Sequence, residues 1–170
     1  KRQCIHHLIF TSDDYEEWGN FIKCNPSIKA PNNREALRQA LKNNQIDIIA
    51  TDHAPHTSHD KDTTFDLASC GLIGLESCLG VVKKVLVDEE DLELLDMIKL
   101  LTVSPRKIMG FDNDLLKEGK EAELVLFRED EKWVFNRNDI NSKSKNSPFI
   151  DAQLSGRVIH TISKGVITTN

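Results

Sequence analysis

Apolar residues in the first part of the chain recur at two spacings, which predict alternating strands and helices. The run at 46–50 is rich in β-branched residues and lacks polar alternation, as in a strand buried on both faces of a parallel sheet. A shorter apolar run at 21–24, ended by Asn25-Pro26, is a second strand candidate. Between them a helix is predicted to open at Pro31-Asn32-Asn33, with Asn32 as its cap and apolar residues on one face.

Three further helices are predicted before residue 110. Leucines and valines recur every three or four positions over 74–87, and the same spacing continues over 88–101. A shorter helix follows, in which Ser104 is the cap and Pro105 takes the first helical position. Gly110 ends that helix.

After Gly110 the pattern changes to short strands separated by turns rich in Gly, Asn, Ser and Lys. The strand-like segments are 123–127, 133–135, 157–162 and 166–169. Alternating strands and helices followed by strands alone would be unusual for one complete domain. This order is typical of the end of a parallel α/β barrel followed by a small β domain. We therefore predict an α/β fold.

Composition narrows the class of protein only a little. Hydrophobic residues at 39% and charged residues at 29% describe an ordinary globular chain. A net charge of -5 argues against nucleic acid or an anionic membrane as the partner, and no apolar run is long enough to span a bilayer. The first residues lack the apolar segment of a signal peptide. The four cysteines have no CxxC spacing and predict free thiols, so the cytoplasm is the expected location.

The most specific chemical feature is the strand that ends in Asp52, with His53 and His56 close behind it. In an α/β barrel the carboxyl ends of the strands carry the chemistry. Asp52 is therefore placed to bind a metal ion or to accept a proton from water. It could equally cap the following turn, and spacing alone does not separate these interpretations. The polar stretch at 57–66 has no periodicity and predicts a surface loop.

Thr51-Asp52-His53-Ala54-Pro55-His56 resembles the strand-eight signature of dihydroorotases, which are metal-dependent cyclic-amide hydrolases of the amidohydrolase superfamily. Other segments resemble the same family in the same order. His6-His7-Leu8 resembles the segment that follows its strand six, and residues 21–29 resemble its strand seven. Residues 71–76 resemble the segment that leads into the helix after strand eight, and 104–110 and 144–149 resemble its closing helix and tail. The resemblance thus covers nearly the whole chain. It implies that residues 1–110 are the carboxyl-terminal portion of a TIM-like (β/α)8 barrel, with strands six to eight. Residues 111–170 would belong to a small composite β-sandwich domain.

Carried over by position, the resemblance implies roles for four residues. Asp52 would be a metal ligand and the general base and acid, and His56 would bind the carboxylate of the substrate. Asn25 and Cys70 would line the substrate pocket, partly through backbone groups, although Cys70 could equally be an ordinary loop residue. His53 is expected to be structural.

The resemblance weakens at the amino end of the chain. Arg2 stands where the family usually has an acidic residue, and Ile5 stands where it usually has proline. His6 and His7 are expected to be packing residues, because the family's histidine ligands lie on earlier strands. The His-x-His motif and the other ligands of the family are absent from this sequence and would precede residue 1. Zinc, one or two ions in the intact enzyme, is therefore not expected to be retained by this chain alone.

The implied activity is the reversible cyclisation of N-carbamoyl-L-aspartate to L-dihydroorotate in de novo pyrimidine biosynthesis, with this chain as an incomplete part of the enzyme. The implied partners are this small-molecule substrate and the missing amino-terminal part of the barrel, and a homo-oligomer stays open. One alternative is a cyclic amidohydrolase of the hydantoinase or allantoinase kind, whose substrates lack the carboxylate that His56 would bind. Another is a non-catalytic scaffold protein.

Overall fold

Two short parallel strands lie at the centre of the first two thirds of the chain. The computed structural model describes residues 1–169. Strand β1 (Arg2–Cys4) pairs in parallel with β2 (Ile48–Ala50), with Gln3 opposite Ile49. The strand predicted at 46–50 is thus confirmed in a shorter form, and so is its parallel pairing.

The prediction of a strand at residues 21–24 is wrong. Residues Gly19–Ile22 form a 3-10 turn, and the amide of Lys23 closes it by donating to the Asn20 carbonyl at 3.1 Å. The Lys23 carbonyl accepts from the amide of Gly71 at 2.8 Å, so these backbone groups bond to a turn and a loop instead of a strand ladder. β1 takes the place beside β2 that the resemblance gave to this segment. Residues 1–110 therefore contribute two parallel strands where three were expected.

Helices surround the two strands, and most are short. They are α1 (Tyr15–Trp18), α2 (Pro31–Lys42), α3 (Ser58–Lys61), α4 (Cys78–Val82), α5 (Leu94–Leu101) and α6 (Val103–Ile108). A π-helical segment, Lys83–Glu89, continues α4. Further 3-10 turns are Ile5–Leu8, Ser12–Asp14 and Arg137–Asp139.

Several predicted helix ends differ from the observed ones. α2 begins at Pro31 with Ala30 at the capping position, so Asn32 lies inside the helix and does not cap it. The helix predicted at 88–101 begins only at Leu94, because Asp91 has φ 55° and interrupts the helical path. α6 begins at Val103, ahead of the predicted cap Ser104. The predicted loop at 57–66 contains α3, which the side chains of Thr57 and Asp60 cap reciprocally.

The remaining strands form one antiparallel sheet in the order β3-β4-β5. These are β3 (Leu124–Val134), β4 (Gln153–Ser163) and β5 (Val166–Thr169). The two strands predicted at 123–127 and 133–135 belong to the single strand β3. The charged residues between them were interpreted as a turn, but they continue the strand through an irregular register between Arg128 and Lys132. Charged residues are usual on an edge strand, which β3 is in this sheet.

One hydrophobic core joins both parts of the chain. It includes Ile5, Leu8 and Ile49 from the first part, and Phe135, Phe149 and Leu154 from the last. Helix α4 packs closely against β4 at Gly80, where the Cβ of any larger residue would lie 3.0 Å from Cβ of Leu154. The hydrophobic packing is therefore continuous between the two parts of the chain, although the sequence pattern changes near residue 110. Among residues 1–169, no helix has the length and apolar character needed to cross a bilayer.

Candidate active site

Asp52 lies directly after β2, at the end of the strand where barrel enzymes carry their chemistry. Its side chain is exposed, and its φ of 50° is in the left-handed region. Aspartate tolerates this conformation better than most residues do, but it is still uncommon outside turns and functional sites. The chain thus places an exposed carboxylate at the end of β2 through an unusual backbone conformation.

The neighbouring strand brings two more potential ligands to Asp52. Because β1 and β2 run in parallel, their carboxyl ends meet at one edge of the sheet. Cys4 ends β1 and His6 follows it closely, and ligand atoms of Cys4, His6 and Asp52 lie within 4.8 Å of one another. Burial, and then the negative charge of Asp52, raise the pKa of the Cys4 thiol. Imidazole, thiol and carboxylate groups are all ligands that transition metals accept, so these residues fit a metal ion.

His6 lies in the core, as expected of a packing residue, but no described residue satisfies its ring nitrogens. It is 1% exposed, and neither ring nitrogen has a hydrogen-bond partner among the described residues. A buried polar group left in this way costs about 1–3 kcal/mol, so it requires an explanation. Burial, followed by the neighbouring His7, lowers the pKa of His6 to about 4, which leaves a neutral imidazole at neutral pH. The sequence signal that could have indicated a ligand at this position is the pair of histidines directly after a strand.

His56 and Cys70, both predicted to contact substrate, lie in direct contact. Nε2 of His56 donates to the carbonyl oxygen of Cys70 at 2.9 Å, since a carbonyl can only accept. The ring therefore has Nδ1 left for another partner, and Nδ1 can donate only when the imidazole carries both protons. Gly71 has φ 126°, and a Cβ there would lie 2.5 Å from Cβ of Ala54 and 3.2 Å from Nε2 of His56. Glycine at this position is what lets the loop approach His56.

Two lysines hold the loop that carries Cys70. The ammonium of Lys23 donates to the carbonyls of Phe65, Asp66 and Ala68, at 2.5, 3.1 and 2.6 Å. The ammonium of Lys61, only 4% exposed, donates to the carbonyls of Ser69 and Gly71, both at 2.9 Å. With His56 bound to Cys70, six carbonyls between residues 65 and 71 accept from side chains. These lysines were not among the predicted site residues.

The other predicted residues fall into two kinds. Asn25 is exposed and follows the buried Cys24, and no side-chain hydrogen bond joins it to Asp52 or His56 in the described part of the chain. His53 is structural, as expected: its Nδ1 accepts from the amides of Gly74 and Leu75 at 3.2 and 3.3 Å. The structure therefore pairs His56 with Cys70 and groups Asp52 with residues of β1.

Comparison with known proteins decides the family. The sequence profile of the Amidohydrolase family matches residues 5–168, which is nearly the whole chain. The chain belongs to the amidohydrolase family. Enzymes of this family are generally metal-dependent, in agreement with the donors around Asp52.

Curated relatives refine the comparison. The chain is 41% identical over 157 residues to the dihydroorotase of Chlorobaculum tepidum, covering 91% of this chain and 36% of the relative. It is 40% identical over 161 residues to the dihydroorotase of Clostridium acetobutylicum, covering 95% of this chain and 38% of the relative. This amidohydrolase chain thus spans little more than a third of the length of these relatives.

Solved structures share the fold. The L-hydantoinase of Arthrobacter aurescens matches 99% of this chain and 39% of its own with a TM-score of 0.90 at 24% identity. The Saccharomyces cerevisiae dihydroorotase in complex with 5-fluoroorotic acid matches 92% of this chain and 42% of its own, with a TM-score of 0.74 at 18% identity. Together with the family, these likenesses imply a TIM-barrel-type fold.

Proposed function

We propose that this chain is the carboxyl-terminal part of a dihydroorotase, which interconverts N-carbamoyl-L-aspartate and L-dihydroorotate. The observation that carries the proposal is Asp52, which follows the strand-eight segment in a strained conformation within 4.8 Å of two further donor atoms. The identity of 34–41% to curated dihydroorotases supports this substrate. The matching solved structures, hydantoinases and a dihydroorotase alike, are 24% or less identical to this chain and indicate the fold alone. The reaction, the substrate and the partners belong to the whole protein.

In this proposal Asp52 moves a proton between water and the ring nitrogen. During hydrolysis one carboxylate oxygen accepts a proton from the attacking water, and the same group then gives a proton to the departing amide nitrogen. In the synthetic direction the steps reverse. A bound divalent metal, for which we propose zinc, would polarise the ring carbonyl and lower the pKa of the attacking water. Asp52 would hold the metal together with ligands from the amino-terminal part of the barrel.

His56 would orient the substrate through its carboxylate. Nε2 is already committed to the Cys70 carbonyl, so Nδ1 is the nitrogen that faces the substrate in this proposal. An imidazolium would then donate from Nδ1 to the carboxylate as a charge-assisted hydrogen bond. Asn25 and the backbone of Cys70 would complete the pocket wall.

The proposed architecture follows from the same assignment. Residues 1–110 would supply the last strands and closing helices of the barrel, and residues 111–170 would supply strands to a small β-sandwich domain. The amino-terminal part of the barrel would cover the free edges of β1 and β2. We propose a cytoplasmic location, as expected for a protein with free thiols.

A pair of substrates tests the role of His56 in the intact protein. Dihydroorotate carries the ring carboxylate, whereas dihydrouracil has the same ring without it. His56→Ala should raise the KM for dihydroorotate at least about 10-fold, the effect of losing one charge-assisted hydrogen bond of about 1.5–3 kcal/mol. It should leave the metal content, and any activity towards dihydrouracil, unchanged. A wild-type preference for dihydrouracil or hydantoin over dihydroorotate would instead favour the hydantoinase alternative.

A further inference from the structure

A second set of metal-type donors overlaps the Asp52 group at His6. We propose that His6, His7 and Cys24 form a binding site for one transition-metal ion of the Zn²⁺ and Co²⁺ class, separate from the proposed Asp52 centre. One ligand atom from each of the three residues lies within 4.8 Å of the other two. The site goes beyond the proposed function, because nothing in that reaction requires a sulfur ligand.

The spacing of the three donors is close to that of a bound ion. Zinc bonds of about 2.0–2.3 Å place the donor atoms of a tetrahedral site roughly 3.3–3.8 Å apart. The rings of His6 and His7 have centroids 4.5 Å apart and are tilted by 50°, so they are not stacked face to face. The donor atoms lie within 4.8 Å of one another, and water or a further side chain would complete four-fold coordination.

Local structure brings these residues together from two segments. His6 and His7 lie in the 3-10 turn Ile5–Leu8 that follows β1. Cys24 lies just after the 3-10 turn Gly19–Ile22, in the segment that the sequence had predicted to be a strand. Because that segment is not in a ladder, its cysteine is free to approach the end of β1.

The donor atoms make the site selective for certain metals, and its partial burial leaves one side open to solvent. His6 is 1% exposed and Cys24 is 5% exposed, whereas His7 is half-buried and faces partly towards solvent. Two imidazoles and a sulfur form a soft donor set, which favours zinc, cobalt or copper over magnesium and calcium. A metal ligand needs a nitrogen lone pair that no other group occupies. The buried nitrogens of His6 have no partner among residues 1–169 and meet this requirement.

The sulfur of Cys24 would exchange a proton for the metal. Burial raises the pKa of Cys24 to about 11, so without metal the group is a thiol, and it donates to the Pro26 carbonyl at 3.2 Å. A metal ion would displace that proton to solvent and hold the thiolate. Such a site could bind zinc within this chain, contrary to the expectation from the sequence, in which Asp52 was the only ligand present.

Cobalt titration distinguishes this site from the Asp52 group. Metal-free intact protein should take up Co²⁺ with a near-ultraviolet sulfur-to-cobalt charge-transfer band. Cys24→Ser should abolish this band, and His7→Gln should weaken Co²⁺ binding at that band at least about 10-fold. Cys70→Ser, Cys4→Ser and Asp52→Asn are the matched controls and should leave the band unchanged.

The contrary results are equally distinct. A band that survives Cys24→Ser, or the absence of any band, would overturn the site. A band lost in Cys4→Ser and Asp52→Asn but kept in Cys24→Ser would place the metal on the Asp52 group instead. If Cys24→Ser fails to fold by circular dichroism, the His7→Gln titration decides. None of these readouts uses dihydroorotate, so they stand whether or not the proposed activity is found.

Discussion

At the residue scale, two lysine ammonium groups hold the backbone of the loop around Cys70, and one of them, Lys61, is buried. Lys61 is 4% exposed, and burial lowers its pKa, yet its ammonium reaches two backbone carbonyls at 2.9 Å. Those carbonyls belong to Ser69 and Gly71, on either side of the residue that binds His56. Hydrogen bonds from a charged donor are stronger than neutral ones, so this lysine fixes the loop on which His56 rests.

Lys61→Met tests this anchoring, because it keeps the aliphatic stem and removes the ammonium. Losing the charged hydrogen bonds should cost about 1.5–3 kcal/mol of local stability. Amide hydrogen exchange of residues 65–71 in the intact protein should therefore speed up by roughly 10-fold or more, at 1.4 kcal/mol per factor of ten. Lys99→Met is the control, since Lys99 is an exposed partner of Asp96 and should change little. Unchanged exchange in Lys61→Met would show that the lysine does not hold the loop.

The sequence identified the residues with short-range signals and missed those with long-range partners. Asp52 and His56 were found because a strand end and a hexapeptide motif lie together in the chain. Lys23 was missed because its carbonyl partners lie 42 to 45 residues away, and nothing in the local pattern indicates them. His6 was assigned to packing because its burial can be inferred from sequence but its unpaired nitrogens cannot.

At the scale of elements, the join between α4 and β4 connects the two parts of the chain. Leu154 on β4 is 3% exposed and packs beside Gly80 of α4. Next to this contact, Lys83 pairs with Asp88 at 2.8 Å, and the side chain of Ser155 donates to Asp88. The helix predicted over 74–87 contains α4, but the strand predicted at 157–162 is shorter than β4 and leaves out Leu154. Sequence patterns did not show this packing, because it depends on which faces meet.

Leu154→Ala should loosen both elements at once. Removing a buried leucine side chain typically costs about 2–5 kcal/mol. Hydrogen exchange should therefore rise in α4 as well as in β4 of the intact protein. Ile167→Ala on β5 is the control, because Ile167 is 65% exposed and should affect at most its own strand. Faster exchange confined to β4 would show that the sheet is not coupled to the helices.

At the scale of the whole molecule, the two-stranded parallel sheet is far from a closed barrel. Among residues 1–169, β1 and β2 pair only with each other, so each has one free edge. Closing a barrel of eight strands would bury those edges and the apolar surface near them. The chain also covers little more than a third of the length of its dihydroorotase relatives. The order of elements along the sequence indicated this architecture, but strand pairing was needed to show that β1 lies beside β2.

The 170-residue chain by itself should show no hydrolysis of dihydroorotate and should self-associate through its free strand edges. Adding the amino-terminal part of the barrel should restore both activity and a defined size. Light scattering after size-exclusion chromatography, together with the loss of dihydroorotate absorbance, measures both. A monomeric and active preparation of the chain alone would contradict the proposal that it is an incomplete part.

The most direct test of the account is the rate of dihydroorotate hydrolysis by the intact protein with Asp52→Asn. The amide can still occupy the same place after β2, but it cannot accept and return a proton. Loss of a general base typically lowers the rate about 10²–10⁴-fold, and we expect a loss in this range with an unchanged circular dichroism spectrum. A folded Asp52→Asn protein that keeps more than about a tenth of the wild-type rate would contradict the role of Asp52, and with it the proposed active site.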